Sequence, residues 1–418
     1  MDLDQAEDWL IGLESFGMRF GLDRMHRLMT ALGMPQRRFA SIHVVGTNGK
    51  SSTVRMIAAI LERHGLRTGA YLSPHLTSFT ERVLIGGEPV GSAELAGALT
   101  RARQASELVN RTLEPGDVVT QFEALTAAAY HELARARVEV AVVEAGLGGR
   151  YDATNVIPSR VQVLTGVDLD HTRWLGETIE EIAEEKLAVV PDHGVLVTGP
   201  LPAPAEAVAR RVVSERHAEW RRVSSEDEAS VPELAVRGRF QRRNFALARA
   251  AAAAFIGEVD QAKLAAAAGE LRAPGRLEVT GQDPIVIRDA AHNPAGARAL
   301  AESLPELLAG RPLTLLAAVL ADKDVAGVLA PLLPLAERVL YTNCQNPRCM
   351  SPEELAEVGA RLGGPAGEVV AEPHAALERA CELAGRGGAV LATGSIYLMA
   401  DLARPLSAGV AERRASSL

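Results

Sequence analysis

Apolar positions along this chain follow two rhythms. Ile42–Val45, Thr68–Leu72, Val138–Val143 and Val161–Val167 are short runs that read as buried strands, the third interrupted only by Glu139. Between the first two, Val54, Ile57, Ala58 and Leu61 recur at helical spacing, and the stripe stops before Gly65, a C-cap residue. Helices are expected likewise over 93–110 and 120–136, the latter opened by Thr120–Gln121–Phe122–Glu123. Residues 1–40 predict helices with Trp9, Leu10, Leu13, Met25, Leu28 and Met29 on apolar faces. Strands alternating with helices imply right-handed crossovers and a doubly wound, mainly parallel sheet. Residues 201–235 are weakly patterned and read as partly loop, 241–256 read as an Ala-rich helix starting near Asn244, and Leu271–Arg276 reads as a linker. Alternation then restarts, with strands near 285–288, 313–319, 337–342, 367–371 and 388–393. The pattern divides the chain into a domain over 1–275 and a smaller α/β domain over 276–418.

The residues at the strand ends carry the chemistry. After Val45 comes Gly46–Thr47–Asn48–Gly49–Lys50–Ser51–Ser52, with a helix expected from Ser51. A strand, a glycine turn, a lysine and a helix N-terminus make a phosphate cradle, because unpaired N–H groups and the helix dipole face the anion. The first glycine falls two residues later than in the standard P-loop, so the spacing alone also fits a plain glycine turn. Open parallel sheets bind ligands beyond the carboxyl ends of their strands. That rule puts Ser73, Glu144 and His171 on the same rim as the loop. Glu144, ending an apolar strand, reads either as a Walker-B-type Mg²⁺ carboxylate or as a helix cap; His171 reads as a second metal contact or a loop histidine. Lys186 lies on the apolar stripe of Ile179, Ile182, Ala183, Val189 and Val190, so it must snorkel, pair, lose its charge or be modified.

Composition narrows the function classes. The net charge is −9, aromatics make up 4% of residues, and no apolar run spans a bilayer, so neither a nucleic-acid partner nor a membrane is expected. The start, Met1–Asp2–Leu3–Asp4, lacks the layout of a signal peptide, and Cys344, Cys349 and Cys381 read as free thiols; the expected location is the cytoplasm. Of 44 basic residues only Lys50, Lys186, Lys263 and Lys323 are lysines, which favours places where a compact, deprotonatable amine is needed.

In order, the loop Gly46–Lys50, Leu72–Ser73–Pro74–His75–Leu76, Phe122–Glu123, Val143–Glu144 with Gly146–Leu147–Gly148–Gly149, and Asp152–Ala153–Thr154–Asn155 carry a resemblance. Asp170–His171, Glu185–Lys186, Asn244, Pro274–Gly275–Arg276, Asp289 with Ala291–His292–Asn293–Pro294, Asp322–Lys323–Asp324 and Thr393–Gly394–Ser395 continue it. Together they resemble folylpolyglutamate synthase, including the bifunctional dihydrofolate synthase form, within the Mur ligase superfamily. The resemblance implies a P-loop-containing doubly wound ATP-binding domain followed by a Rossmann-like, glutamate-binding ligase domain. It implies ATP held by Gly46, Thr47, Asn48, Gly49, Lys50, Ser51, Ser52, Asn244, Arg276 and Asp289, and Mg²⁺ at Ser73, Glu144 and His171. Lys50, Lys186 and His171 would serve catalysis, Lys186 as an N-carboxylated lysine. Phe122, Glu123 and Arg150 would line the site of the pterin-bearing substrate, and His292 would also bind substrate. The reaction implied is ATP-dependent addition of L-glutamate to a folate carboxylate, with dihydropteroate a further candidate acceptor, by a monomer. Ser51–Ser52 replaces the family's Gly–Ser, Ala290 a usual glycine, Ala295 a common histidine, and Leu187–Ala188 the usual small pair. A Mur-type ligase of cell-wall precursors is the neighbouring alternative, disfavoured by the 45 residues before Gly46; a non-ligating ATP-binding or NTPase module is the other.

Overall fold

Ile42, Val44 and Val45 are wholly buried. They lie on β1 (Ala40–Val45), an inner strand of an eight-stranded sheet. The other members are β2 (Thr68–Tyr71), β3 (Val83–Ile85), β4 (Glu88–Pro89), β5 (Val140–Glu144), β6 (Val161–Leu164), β7 (Val195–Thr198) and β8 (Glu219–Arg222). The computed structural model describes residues 1–13 and 19–404; the end of the expected second domain, 405–418, lies outside the described residues. The strand order is β4-β3-β2-β5-β1-β6-β7-β8. Only the β2–β3 and β3–β4 pairs are antiparallel. Both β2 and β5 are buried along their whole length, as strands covered by helices on both faces should be.

The register levels the strand ends that matter. Val44 pairs with Glu144, and Val45 with Leu164. Ala145 N–H donates to Val44 C=O at 3.0 Å and Thr165 N–H to Val45 C=O at 3.0 Å. The expected strand through Val167 therefore stops at Leu164. Thr165 turns the chain into a loop, its hydroxyl donating to Asn48 C=O at 2.6 Å.

The helix Lys50–Arg63 buries Val54, Met56, Ile57, Ile60 and Leu61. Each side chain of that size contributes roughly 1.5–3 kcal/mol when fully buried. One apolar cluster joins Tyr71, Ala141 and Val143 to the helix Gln121–Arg135 and the N-terminal helices; another joins Val45, Leu164 and Leu196 to Ile182, Ala183 and Leu187.

A second unit comprises Val236–Phe240 and the chain from Ala273, while Met1–Ala235 and Gln241–Arg272 form the first. Its sheet contains β9 (Glu278–Gln282), β10 (Ile285–Arg288), β11 (Leu313–Ala317), β12 (Arg338–Tyr341), β13 (Gly367–Val369) and β14 (Ala389–Thr393), in the order β13-β12-β11-β14-β10-β9. All pairs are parallel except β9–β10. The core collects Ile287, Leu300, Leu304, Leu315 and Leu391.

Residues 201–235 hold more order than their pattern suggests: a helix Ala203–Glu215, β8 and a helix Ser225–Ala229. β8 is a half-exposed edge strand in which Trp220 is flanked by the Arg210 and Arg222 guanidiniums at 5.8 and 4.9 Å, so charges stand where apolar alternation would. The Ala-rich helix begins at Arg239, ahead of the expected start.

Candidate active site

β1 leads into the loop Gly46–Gly49, and a helix begins at Lys50, one residue before the expected start. Gly46 has φ 149° and Gly49 φ 83°, and neither has room for a side chain. A Cβ on Gly46 would sit 2.0 Å from Thr165 Oγ1, and one on Gly49 2.6 Å from Asn244 Oδ1. Asn244 thus stands directly against the glycine loop, its Nδ2 donating to Gln241 Oε1 at 3.0 Å. The β6 loop braces the other side: Thr47 N–H donates to Gly166 C=O at 2.9 Å and Asp168 N–H to Thr47 Oγ1 at 3.1 Å.

Two lysines converge on one carbonyl. Lys50 Nζ donates to Gly46 C=O at 3.1 Å and Thr47 C=O at 3.2 Å, and Lys186 Nζ donates to the same Gly46 oxygen at 3.0 Å. Lys186 is only 3% exposed. Its burial, reinforced by the Lys50 charge and partly offset by Asp170 and Asp152, lowers its pKa to about 7. The apolar stripe therefore delivers a readily deprotonated amine to the loop. It does not snorkel.

Glu144 is 1% exposed, and its two oxygens accept from Ser51 Oγ at 2.9 Å and from Ser73 N–H at 3.1 Å. Of the two hydroxyls after Lys50, Ser51 faces this carboxylate, while Ser52 is buried. His171 follows Asp170 on the loop that braces Thr47; it adopts φ 54° as N-cap of the helix Thr172–Leu175, with a half-exposed side chain. Among the described residues no three His, Cys, Asp or Glu side chains form a ready metal cage. What the rim offers is one buried carboxylate between serine groups. That donor set suits Mg²⁺, a hard cation that keeps several waters and takes phosphate oxygens.

Phe122 stacks on Tyr71 with ring centroids 6.2 Å apart and packs on Gly146, where a Cβ would meet its ring at 2.5 Å. Glu123 is differently employed: Arg24 Nε donates to both its oxygens at 3.0 and 3.1 Å, and Thr120 N–H to Oε2 at 2.8 Å, closing a capping box. Arg150 Nε donates to Glu185 Oε1 at 2.8 Å, and its N–H to Glu185 C=O at 2.9 Å. This pins the glycine loop beside Lys186: a Cβ on Gly149 would lie 2.8 Å from the carbonyl oxygens of Glu185 and Lys186.

A buried polar chain supports this rim. His43 Nε2 and Thr154 Oγ1 are 2.9 Å apart, and Asp152 accepts from Leu147 N–H at 2.8 Å and Thr154 N–H at 3.0 Å. Burial drives His43 down to about 3, so it stays neutral, and raises Asp152. Sequence reasoning did not single out His43, Thr165 or Asp168. Their positions next to the glycine loop or at the end of β6 were the available signal.

Arg276, Asp289 and His292 belong to the second unit and form their own group. Asp289 accepts from Leu277 N–H at 2.9 Å and Ala291 N–H at 2.8 Å; burial raises its pKa, opposed by Arg276 and these two bonds. His292 Nδ1 lies 2.9 Å from Ala290 C=O, and Asn293 caps the next helix through Gly296 N–H at 2.8 Å.

Residues 275–396 match the family model for the Mur ligase, glutamate ligase domain. The chain is 36% identical to a dihydrofolate synthase/folylpolyglutamate synthase of Mycobacterium tuberculosis, over 82% of this chain and 78% of that protein. It superposes on the Mycobacterium tuberculosis folylpolyglutamate synthase complexed with ADP and AMPPCP with a TM-score of 0.89, at 34% identity over 96% and 98% of the two chains. With the E. coli FolC in complex with DHPP and ADP the TM-score is 0.84, at 28% identity over 99% of each chain. With its loop, strand-end carboxylate and sheet order as described, this chain belongs to the folylpolyglutamate synthase/dihydrofolate synthase family of Mur ligases.

Proposed function

We propose that the chain is an ATP-dependent carboxylate–amine ligase that adds L-glutamate to the carboxylate of a folate, forming ADP through an acyl phosphate. The observation that carries this reading is the meeting of Lys50 and Lys186 on the Gly46 carbonyl, beside β5 and the Glu144 carboxylate. A carboxylate is a poor electrophile, so its oxygen first takes the terminal phosphoryl group of ATP. Lys50 and the loop N–H groups hold the phosphates and stabilise the charge that spreads over the transferring group. Ser51, Ser73, Glu144 and His171 would hold Mg²⁺, which supplies further charge neutralisation when bound. Asn244, which stands against the loop, contacts the nucleotide. The glutamate amine then attacks the acyl carbon, the C–O bond to phosphate breaks, and the amide forms. Positioning and electrostatics suffice for this, with no side-chain nucleophile.

Lys186, half neutral near pH 7, is the amine that takes up CO₂: its neutral form attacks the carbon, an N–C bond forms, one proton leaves the nitrogen, and a neutral amine becomes a carbamate anion. Phe122 and Arg150 face the pterin-bearing acceptor, with Glu123 fixing the helix start that carries Phe122. His292 serves the second unit's substrate side. Residues 1–275 act as the ATP-binding domain and 276–418 as the glutamate-ligase domain. The protein works in the cytoplasm as a monomer without nucleic acid, consistent with its acidic charge and with the absence, among the described residues, of any helix long and apolar enough to cross a membrane.

The test offers the purified chain ATP, Mg²⁺, L-glutamate and either a reduced folate monoglutamate or dihydropteroate, reading products by mass. One glutamyl unit is expected on the folate with one ADP formed, and the same on dihydropteroate as a second activity. ATP hydrolysis with no mass gain on either acceptor overturns the ligase reading in favour of an NTPase.

A further inference from the structure

Cys344 and Cys349 lie in the loop that leaves β12, with Gln345–Arg348 between them. That loop is folded back on itself: Asn346 N–H donates to Cys344 C=O at 2.6 Å, and Cys349 N–H to Asn346 C=O at 2.9 Å. Its return arm is fixed to the segment after β11, where Cys349 bridges Leu320 and Met350 N–H donates to Val319 C=O at 3.0 Å. The outgoing arm is tied by Gln345 N–H donating to Asp401 Oδ2 at 2.7 Å. The fold-back turns both thiols inward, where each is the largest influence on the other's acidity. Cys344 Sγ also lies 3.9 Å from Ser395 Oγ, and Cys349 Sγ 3.9 Å from Val319 C=O.

The two thiols are unequal. Cys344 is 5% exposed, and its neighbour Cys349 together with burial raises its pKa; Cys349 is partly exposed, and the neighbouring Cys344 lowers its own. An accessible thiol of enhanced acidity beside a buried partner is the arrangement of an attacking and a resolving cysteine. Cys381 gives an internal contrast. It too is partly exposed, but burial and the Glu378 charge raise its pKa and no thiol partner adjoins it.

We propose that Cys344 and Cys349 are a reversible disulfide site, formed by thiol–disulfide exchange with a low-molecular-weight disulfide such as oxidised glutathione. The Cys349 thiolate attacks one glutathione sulfur, breaking that S–S bond and releasing one glutathione thiolate. Cys344, giving up its proton, attacks Cys349 Sγ and releases the second glutathione. Two protein thiols are oxidised, one disulfide is reduced to two thiols, and the two protons pass to the leaving groups. The bond removes both S–H donors, so Ser395, which caps the helix Ile396–Ala403, and the Val319 carbonyl each lose a partner. The site lies at the carboxyl ends of β11, β12 and β14, the rim where such sheets hold ligands.

Trypsin cleaves after Arg348, between the two cysteines, which makes the test direct. The full chain is incubated with oxidised glutathione, alkylated and digested without reductant. Peptides 339–348 and 349–361 are expected joined, lighter by two hydrogens, and separated by dithiothreitol, while Cys381 stays alkylated. In the reduced protein Cys349 is expected to alkylate about ten-fold faster than Cys381. In Cys344→Ser the mixed glutathione disulfide at Cys349 should accumulate; in Cys349→Ser, Cys344 should remain reduced. Recovery of the two peptides unlinked, with both thiols alkylated or with glutathione left on Cys349 of the unsubstituted chain, overturns the proposal.

Discussion

The two sheets of this protein end in similar ways and use those ends differently. At the rim of the first, Lys50 and Lys186 share the Gly46 carbonyl, and Glu144 is held by a serine hydroxyl and a backbone N–H. Cations and carboxylate there are concentrated around one loop that has space only for glycine. At the start of the second, Asp289, His292 and Asn293 all bond backbone groups, Asp289 reaching back to Leu277 and the others staying within the same turn. Those residues shape the turn as much as they offer anything to a ligand. A polar residue at a strand end is thus a functional candidate in both places, but its hydrogen bonds tell charge assembled for chemistry from charge used for architecture.

The contrast is broken most sharply at Lys50. Lys50→Ala should lower the ligation rate by about 10³-fold while leaving stability within about 0.5 kcal/mol, read by steady-state kinetics and chemical denaturation. Near-unchanged turnover at saturating ATP would remove the loop from the chemistry. Glu123→Ala should do the reverse. It strips the buried Arg24 of one of its two carboxylates, Asp117 remaining at 3.2 Å, so stability should fall by about 1.5–3 kcal/mol in urea titration, although the residue stands next to Phe122. A stable variant with weakened folate binding would make Glu123 a ligand instead.

Asp289→Ala sharpens the comparison from the second unit. Leaving two buried N–H groups without acceptors should cost about 1–3 kcal/mol. A KM for ATP that rises with stability unchanged would place Asp289 with the first rim in kind. The smallest effect concerns pH. The folded pKa of Lys186, about 7, lies below its ordinary value near 10.5. Between those values the unfolded chain holds a proton that the native state lacks, so this group's contribution to stability rises with pH across that window. Burial sets the shift and the Lys50 charge adds to it, while Asp170 and Asp152 oppose it. In CO₂-free buffer, Lys186→Met should therefore gain stability over the unsubstituted chain at about pH 6 and lose that advantage progressively between about pH 7 and about pH 10.5. A gain independent of pH would mean that Lys186 keeps its proton.

Continuous apolar runs made β1, β2, β5 and β6, and hence the rim, readable, though β7 was missed: Val45, Glu144 and the helix after Lys50 follow from periodicity and glycine placement. β8 and β9 did not show because edge strands with half-exposed faces carry arginine and glutamate where a buried strand carries valine. The role of Glu123 was hidden for another reason. Its partner Arg24 is distant in sequence, so a capping box was visible and the buried ion pair was not. Thr165 was absorbed into an apparent strand, since nothing local says that its hydroxyl turns to Asn48.

The proposed reaction turns on a carboxylate that is phosphorylated before the amine arrives. A folate monoglutamate labelled with ¹⁸O in its reacting carboxylate, incubated with the full chain, ATP, Mg²⁺ and L-glutamate, tests this directly. Each ligation should transfer one labelled oxygen to the inorganic phosphate released. Glutamate addition accompanied by unlabelled phosphate would contradict the acyl-phosphate route.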